Sequence, residues 1–245
     1  MKKFTTILAV LFLGTFFVVG GAMATPFNDR TPAIVIFDGS EPNVQEILDG
    51  VGLTGIDDML NQNEAAIWGT GEGNVDSYFV ERYASNGGEL GIYSFNNNLL
   101  THTFSLWSTG TASFGISDLG KLSVIDAGGE TFIDNFGPTF GFFWHDTTDQ
   151  SFSYTEDSRN SDTALALAYL VTEGMKTTIN GTTHDASGNN DWMLFFGDGA
   201  GDVDFNDAVF YVEDMNAVPE PATMLLLGTG LLGLAAIGRK KYLKK

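Results

Sequence analysis

The chain has 245 residues and is acidic, with 31 Asp and Glu against 12 Lys and Arg and a net charge of −19. Such a charge repels nucleic acid and anionic membrane surfaces and attracts divalent cations, besides keeping a protein soluble. Cysteine is absent, which excludes disulfides, thiol nucleophiles and thiolate metal sites.

At the start, Lys2 and Lys3 precede an apolar stretch from Ile7 to Val19 and the small-residue triplet Ala22-Met23-Ala24. That order predicts a secretory signal peptide over residues 1–24, cut after Ala24; the run is short for a membrane span of about 20 residues. Seven of the twelve basic residues lie in the two chain ends and only one acid, Glu220, so residues 25–217 hold five basic and 30 acidic residues, a net charge of −25. This stretch suits a single domain with a real apolar core.

In P-N-V-Q-E-I-L-D-G-V-G-L, Val44, Ile47, Leu48 and Val51 follow i, i+3, i+4, i+7 spacing behind the capping residue Asn43, which predicts a packing helix. Elsewhere short runs of β-branched and aromatic residues alternate with Gly, Asn and Asp: 33–37, 77–83, 90–94, 102–107, 111–116, 121–125, 139–144, 165–171, 192–196 and 208–212. This predicts an all-β fold, an antiparallel β-sandwich or jelly-roll-like single domain. Tyr83 to Tyr93 reads as a hairpin about Asn86-Gly87-Gly88, residues that accept positive φ. His102, His145 and His184 fall in no metal-binding spacing and are expected as strand or loop residues.

The segment D-W-M-L-F-F-G-D-G-A-G-D-V-D-F-N-D-A-V-F-Y-V-E-D-M, Asp191 to Met215, places an acidic glycine-rich loop between two apolar strands. Asp198, Asp202, Asp204, Asn206 and Asp207 offer the hard oxygens that calcium takes six to eight of, so a Ca2+ loop between strands is the expected chemistry. The metal-free alternative is a turn whose Asp and Asn side chains bond local amides. A helix-loop-helix calcium site is imitated by Asp202, Asp204, Asn206 and Glu213, but Asp207 stands where that loop needs glycine and a strand follows.

The segment G-D-G-A-G-D-V-D-F-N-D-A-V-F resembles the end of an uncharacterised all-β domain of bacterial secreted proteins that closes with D-x-D-[FY]-N-D-x-[VI]. G-I-Y-S at 91–94, G-F-F-W at 141–144 and F-S-Y-T-E-D-S-R-N-S-D-T-A-L-A-L-A-Y from Phe152 to Tyr169 agree, so the resemblance covers about residues 77–215. Members often carry W-E-D or F-E-D before the loop. Here Phe195-Phe196-Gly197-Asp198 lacks that glutamate; if the glutamate is a ligand, coordination here is expected to be weaker or to rely on Asp198.

The chain ends V-P-E-P-A-T, a short apolar run from Met224 to Gly238, and R-K-K-Y-L-K-K. Fifteen residues rise about 22 Å as a helix, short of a hydrocarbon core of roughly 30 Å, so this segment reads as a transient membrane element with its basic end cytoplasmic. Pro219 and Pro221 hold the preceding residues extended. The arrangement over residues 218–245 closely resembles the PEP-CTERM sorting signal. That resemblance implies recognition of Glu220, between Pro219 and Pro221, by an exosortase-type enzyme, with Arg239, Lys240 and Lys241 as the basic stop. It also implies a producer that makes exopolysaccharide, biofilm or floc matrix.

The expectation that follows is an exported, non-enzymatic, calcium-stabilised structural or binding module at the cell surface or in the extracellular matrix. It would associate with exopolysaccharide or acidic matrix through calcium, or through aromatics such as Trp107, Trp144 and Trp192 if these are not core. The alternative is a secreted hydrolase of matrix polysaccharide acting through a carboxylate pair.

Overall fold

The structure is a computed structural model that describes residues 41–63, 67–70, 75–81, 87–94, 100–104, 111–117, 120–126, 129–148, 150–161, 163–188, 190–197 and 205–218. All of them fall within the compact unit Phe27–Val218. The helix α1 (Val44–Gly50) forms where the apolar spacing predicts it, and Asn43 caps it: its side chain accepts from Glu46 N while Glu46 reaches back to Asn43 N. That reciprocal pair satisfies two backbone donors which the helix itself leaves free.

Strands follow in chain order: β1 (Trp68–Thr70), β2 (Val75–Glu81), β3 (Gly88–Ser94), β4 (Leu100–Phe104), β5 (Thr111–Ile116), β6 (Leu122–Asp126), β7 (Gly129–Ile133), β8 (Thr139–Asp146) and β9 (Phe152–Tyr154). After a 3-10 turn at Asp157–Asn160 come β10 (Ala166–Val171), β11 (Lys176–Ile179), β12 (Thr182–Asp185), β13 (Asp191–Phe196), β14 (Ala208–Val212) and β15 (Met215–Ala217). Seven strands make the larger sheet in the order β10-β13-β14-β2-β5-β6-β7. The smaller runs β15-β1-β8-β3-β4, with β9 beside the second half of β8, and β11 and β12 form a separate hairpin.

All pairings are antiparallel, and two cores explain the layering. One draws on both sheets, including Trp68, Phe140, Phe142 and Trp144 from the smaller and Phe114, Trp192, Leu194 and Phe210 from the larger. The other lies on the outer face of the larger sheet, where Met193, Phe195, Val209 and Tyr211 meet Val44, Ile47 and Leu48 of α1 and Ile179 of β11. β13 and β14 are therefore buried on both faces, which is why they read as unbroken apolar runs rather than alternating ones. The protein is an antiparallel β-sandwich, as its strand pattern predicts, with a third layer of one helix and one hairpin.

The run 33–37 lies outside the described residues, and every other expected strand is found with ends displaced by a few residues. One expectation fails. Residues 82–86 of the expected Tyr83–Tyr93 hairpin lie outside the described residues, but the strands on either side do not pair: β2 belongs to the larger sheet and β3 to the smaller. At Gly88 the glycine serves packing. Gly88 opens β3 beneath the Trp144 ring, and a Cβ on it would meet that ring at 2.2 Å. Gly91 lies opposite Phe143 and Gly141 opposite Tyr93, each aromatic folded over its partner glycine.

Candidate functional site

β13 and β14 pair from Trp192↔Val212 to Phe196↔Ala208, and the acidic connection leaves from one end of this pair. Its base is firmly tied. Gly197 N donates to Leu165 O at 3.0 Å, and Ser153 Oγ, from β9, donates to Gly197 O at 2.6 Å. On the return, Phe205 is buried at φ 58°, and Asn206 Nδ2 donates to Pro42 O at 3.0 Å just before α1. Asn206 is 3% exposed and Asp207 8%. A Cβ added to Gly197 would lie 3.6 Å from Phe205 N and 3.9 Å from Asp207 Oδ2, so the two legs of the loop run close together.

Of the five expected ligands, Asn206 and Asp207 are thus brought together, buried, at the foot of the loop. Asp198, Asp202 and Asp204 lie outside the described residues, as do Ala24, Pro219, Glu220, Pro221, Arg239, Lys240 and Lys241. Among the described residues no group of three His, Asp or Glu side chains that could hold a metal is gathered. Beside Pro42, a cleft of about 280 Å³ between α1, β2 and β11 is lined by Glu46, Val80, Glu81, Thr178 and Asn180 among others.

At the opposite end of the strand pair lies a polar cluster that sequence reading missed. Tyr211 Oη donates to Asp191 Oδ2 at 2.9 Å, Asp214 N donates to Asp191 Oδ1 at 3.2 Å, and Asn190 Nδ2 donates to Asp214 Oδ1 at 3.1 Å. His184 Nδ1, on β12, lies 3.0 Å from Glu213 Oε1, and Tyr78 Oη donates to Glu213 Oε2 at 3.3 Å. The His184 ring meets Tyr78 edge-on at 4.4 Å and Tyr211 at 5.5 Å. Glu213 therefore belongs to this cluster and not to the loop.

Burial lifts the proton affinity of Asp191, and the charge of Asp214 adds to it against the opposing hydrogen bonds from Asp214 N and Tyr211. Glu213 is raised by burial too, with His184 pulling the other way. The hydroxyls of Tyr78 and Tyr211 are pushed up by burial and then by these carboxylates, so both stay protonated donors. The cluster fastens the β11–β12 hairpin to the larger sheet, helped by Asn180 Nδ2 donating to Phe79 O, while Thr178 N and Thr177 Oγ1 donate to Val51 O at the end of α1. His184 and Glu213 stand 29 residues apart, and no spacing rule joins them.

All three histidines lie in strands. Trp144 and Trp192 are 3% and 2% exposed inside the inter-sheet core, so neither is a sugar platform; Trp107 lies outside the described residues.

The described chain leaves the domain through β15, which pairs with β1 at Thr70↔Met215, Gly69↔Asn216 and Trp68↔Ala217. Val218 N continues this ladder to Ile67 O at 2.9 Å.

Residues 217–241 match the PEP-CTERM protein-sorting motif. The chain thus carries a sorting signal that implies export and processing by an exosortase, as the resemblance of the tail implies. No curated protein matches the chain. Solved structures that align with it include the C-terminal domain of the BC2L-C lectin from Burkholderia cenocepacia (12% identity, TM-score 0.29, 64% of this chain and 99% of that one). Another is the high-affinity mannose-binding lectin of Ralstonia solanacearum (13% identity, TM-score 0.24, 63% of this chain and 97% of that one). Likeness at this level says nothing of what this chain binds.

Proposed function

We propose that the protein is an exported, exosortase-processed, non-enzymatic module of the cell surface or extracellular matrix, stabilised by calcium in the Gly197–Asp207 loop and joined to exopolysaccharide or other acidic matrix through that ion. The observation that supports the calcium reading is the return of the loop. Asn206 and Asp207, hard-oxygen donors, are buried beside two fully packed strands, and the sequence just before them carries Asp198, Asp202 and Asp204. Carboxylates crowded in this way repel one another unless a cation sits among them, and a calcium ion gathers six to eight such oxygens. The non-enzymatic reading is supported by the use of Asp191 and Glu213. Although their proton affinity is raised, their oxygens are engaged by Tyr211, Asp214, Tyr78 and His184 in a tie between layers.

Thermal melting of the purified protein in EDTA and in millimolar calcium tests the loop. Binding at 100 times the dissociation constant adds about 2.7 kcal/mol to stability, so a clear upward shift is expected, lost when Asp202 and Asp204 are both changed to Asn. A melting temperature indifferent to calcium with both aspartates intact would sink the calcium reading. Calcium-dependent co-sedimentation with the producer's own extracellular polymer tests the matrix role.

A further inference from the structure

The sorting motif has no spacer. Its match begins at Ala217, the last residue of β15, and the β-ladder continues through Val218, directly before Pro219. Five residues, Pro219 to Thr223, separate that ladder from the apolar run that opens at Met224. Val218 and Met224 are thus six Cα steps apart, no more than about 22 Å fully extended, so while the run is held in the membrane, Val218 stands within that distance of it. A processing enzyme must enclose several residues of extended chain on the domain side of Glu220. Beyond Pro219 those residues are Val218, Ala217 and Asn216, and in the folded domain their ladder bonds are committed to β1.

β15 is built in two parts of unequal hold. Met215 is fully buried in the inter-sheet core, its N–H donates to Asn190 O at 2.7 Å, and its carbonyl accepts from Trp192 Nε1 at 3.0 Å. Asn216 and Ala217 are exposed, Val218 is half-buried, and among the described strands β15 is the outermost of its sheet, with β1 as its neighbour. Short edge pairings of this kind open at little cost compared with the core.

We propose that Asn216–Val218 detach from β1 and enter the processing enzyme as an extended substrate strand together with Pro219-Glu220-Pro221, while Met215 stays seated and marks where the peeling stops. Release of three residues lengthens the reachable tether from five residues to eight and adds about 10 Å of chain. The folded state of β15 then sets the rate of processing, and the surface the enzyme meets is the β1–β15 edge of the smaller sheet. The inference rests on the sorting reading of Glu220.

Because the chain has no cysteine, one engineered pair forms without competition. Gly69 and Asn216 face each other across β1 and β15, and a Cβ at Gly69 would have only ordinary contacts, 3.5 Å to Pro138 O and 3.7 Å to Val218 Cγ2. The experiment follows precursor and processed forms of the full chain by pulse-chase in an exporting host. It compares the parent, Gly69→Cys with Asn216→Cys, an eight-residue Gly-Ser insertion between Val218 and Pro219, and Glu220→Ala. Expected are processing of the oxidised pair slowed at least tenfold and restored by dithiothreitol, a faster rate with the insertion, and no processing of Glu220→Ala. Parental rates for both the oxidised pair and the insertion, with Glu220→Ala still blocked, overturn the peeling and leave the sorting reading standing. Normal processing of Glu220→Ala removes both.

Discussion

Individual residues show the chemistry of the domain at its sharpest around Asp191 and Glu213. Both carboxyls bind protons more readily folded than unfolded, chiefly because burial disfavours their charged form. A raised folded pKa means that the native state holds more protons than the unfolded chain as soon as pH passes the unfolded value near 4. Stability from these groups is therefore full below about pH 4 and falls as pH climbs through their folded values. The expected outcome is a urea midpoint that drops as pH rises above about 4, with a shallower drop for Asp191→Asn, whose amide oxygen still accepts one of the two hydrogen bonds that Asp191 receives; identical slopes would show that Asp191 contributes nothing. None of this was legible in the sequence, because the partners meet only through tertiary structure. The glycines were half legible. Gly88 was recognisable as special, but a turn and a close approach to an aromatic ring call for the same residue, and only the position of Trp144 decides between them.

For whole elements, legibility follows burial. β14 is found where its apolar run predicts it and β13 within one residue, since strands packed on both faces leave no polar position to blur the signal. The unexpected ones, β1, β7, β9, β11, β12 and β15, are short or lie at edges, and their residues satisfy solvent as readily as a core. Sheet membership was also hidden, because pairing partners are far apart in sequence: β2 joins β14, and β1 joins β15. The two-sided burial of β13 makes a direct prediction. Leu194 faces the inter-sheet core and Met193 the helix layer, both fully buried, so Leu194→Ala and Met193→Ala should each cost about 2–5 kcal/mol by chemical denaturation. Phe132→Ala in β7, where the ring is 54% exposed beneath Lys121, should cost less than about 1 kcal/mol. Equal losses at all three positions would contradict the layering.

Across the molecule, the dominant fact is thirty acids on a body with five bases. The described ion pairs, such as Arg159–Glu156 and Lys176–Asp185, engage few of them. Repulsion among the remainder is long-ranged at low salt and is screened within about 10 Å at 0.1 M. Sodium chloride added to a low-salt solution should raise the melting temperature of the parent and of the Asp202→Asn, Asp204→Asn double variant alike, whereas the calcium response should be confined to the parent. A salt response absent from both would show that net charge does not limit stability. This general acidity was plain from composition, and the class of fold from the spacing of short apolar runs; the cluster at Asp191 and the placing of β2 and β3 in different sheets were not.

Strand order also fixes the timing of assembly. In the larger sheet β2, β5, β6 and β7 come from the first half of the domain and β10 and β13 from the second, and β14 is the seam between the two groups. β14 is nearly the last strand in the sequence, and its own neighbour β15 closes the smaller sheet against β1. A chain threaded through a membrane from its N-terminus thus emerges as two unfinished half-sheets, unable to lock until the final stretch before the tail has crossed. The topology leaves both sheets unfinished until β14 and β15, the last strands before the sorting motif, are in place.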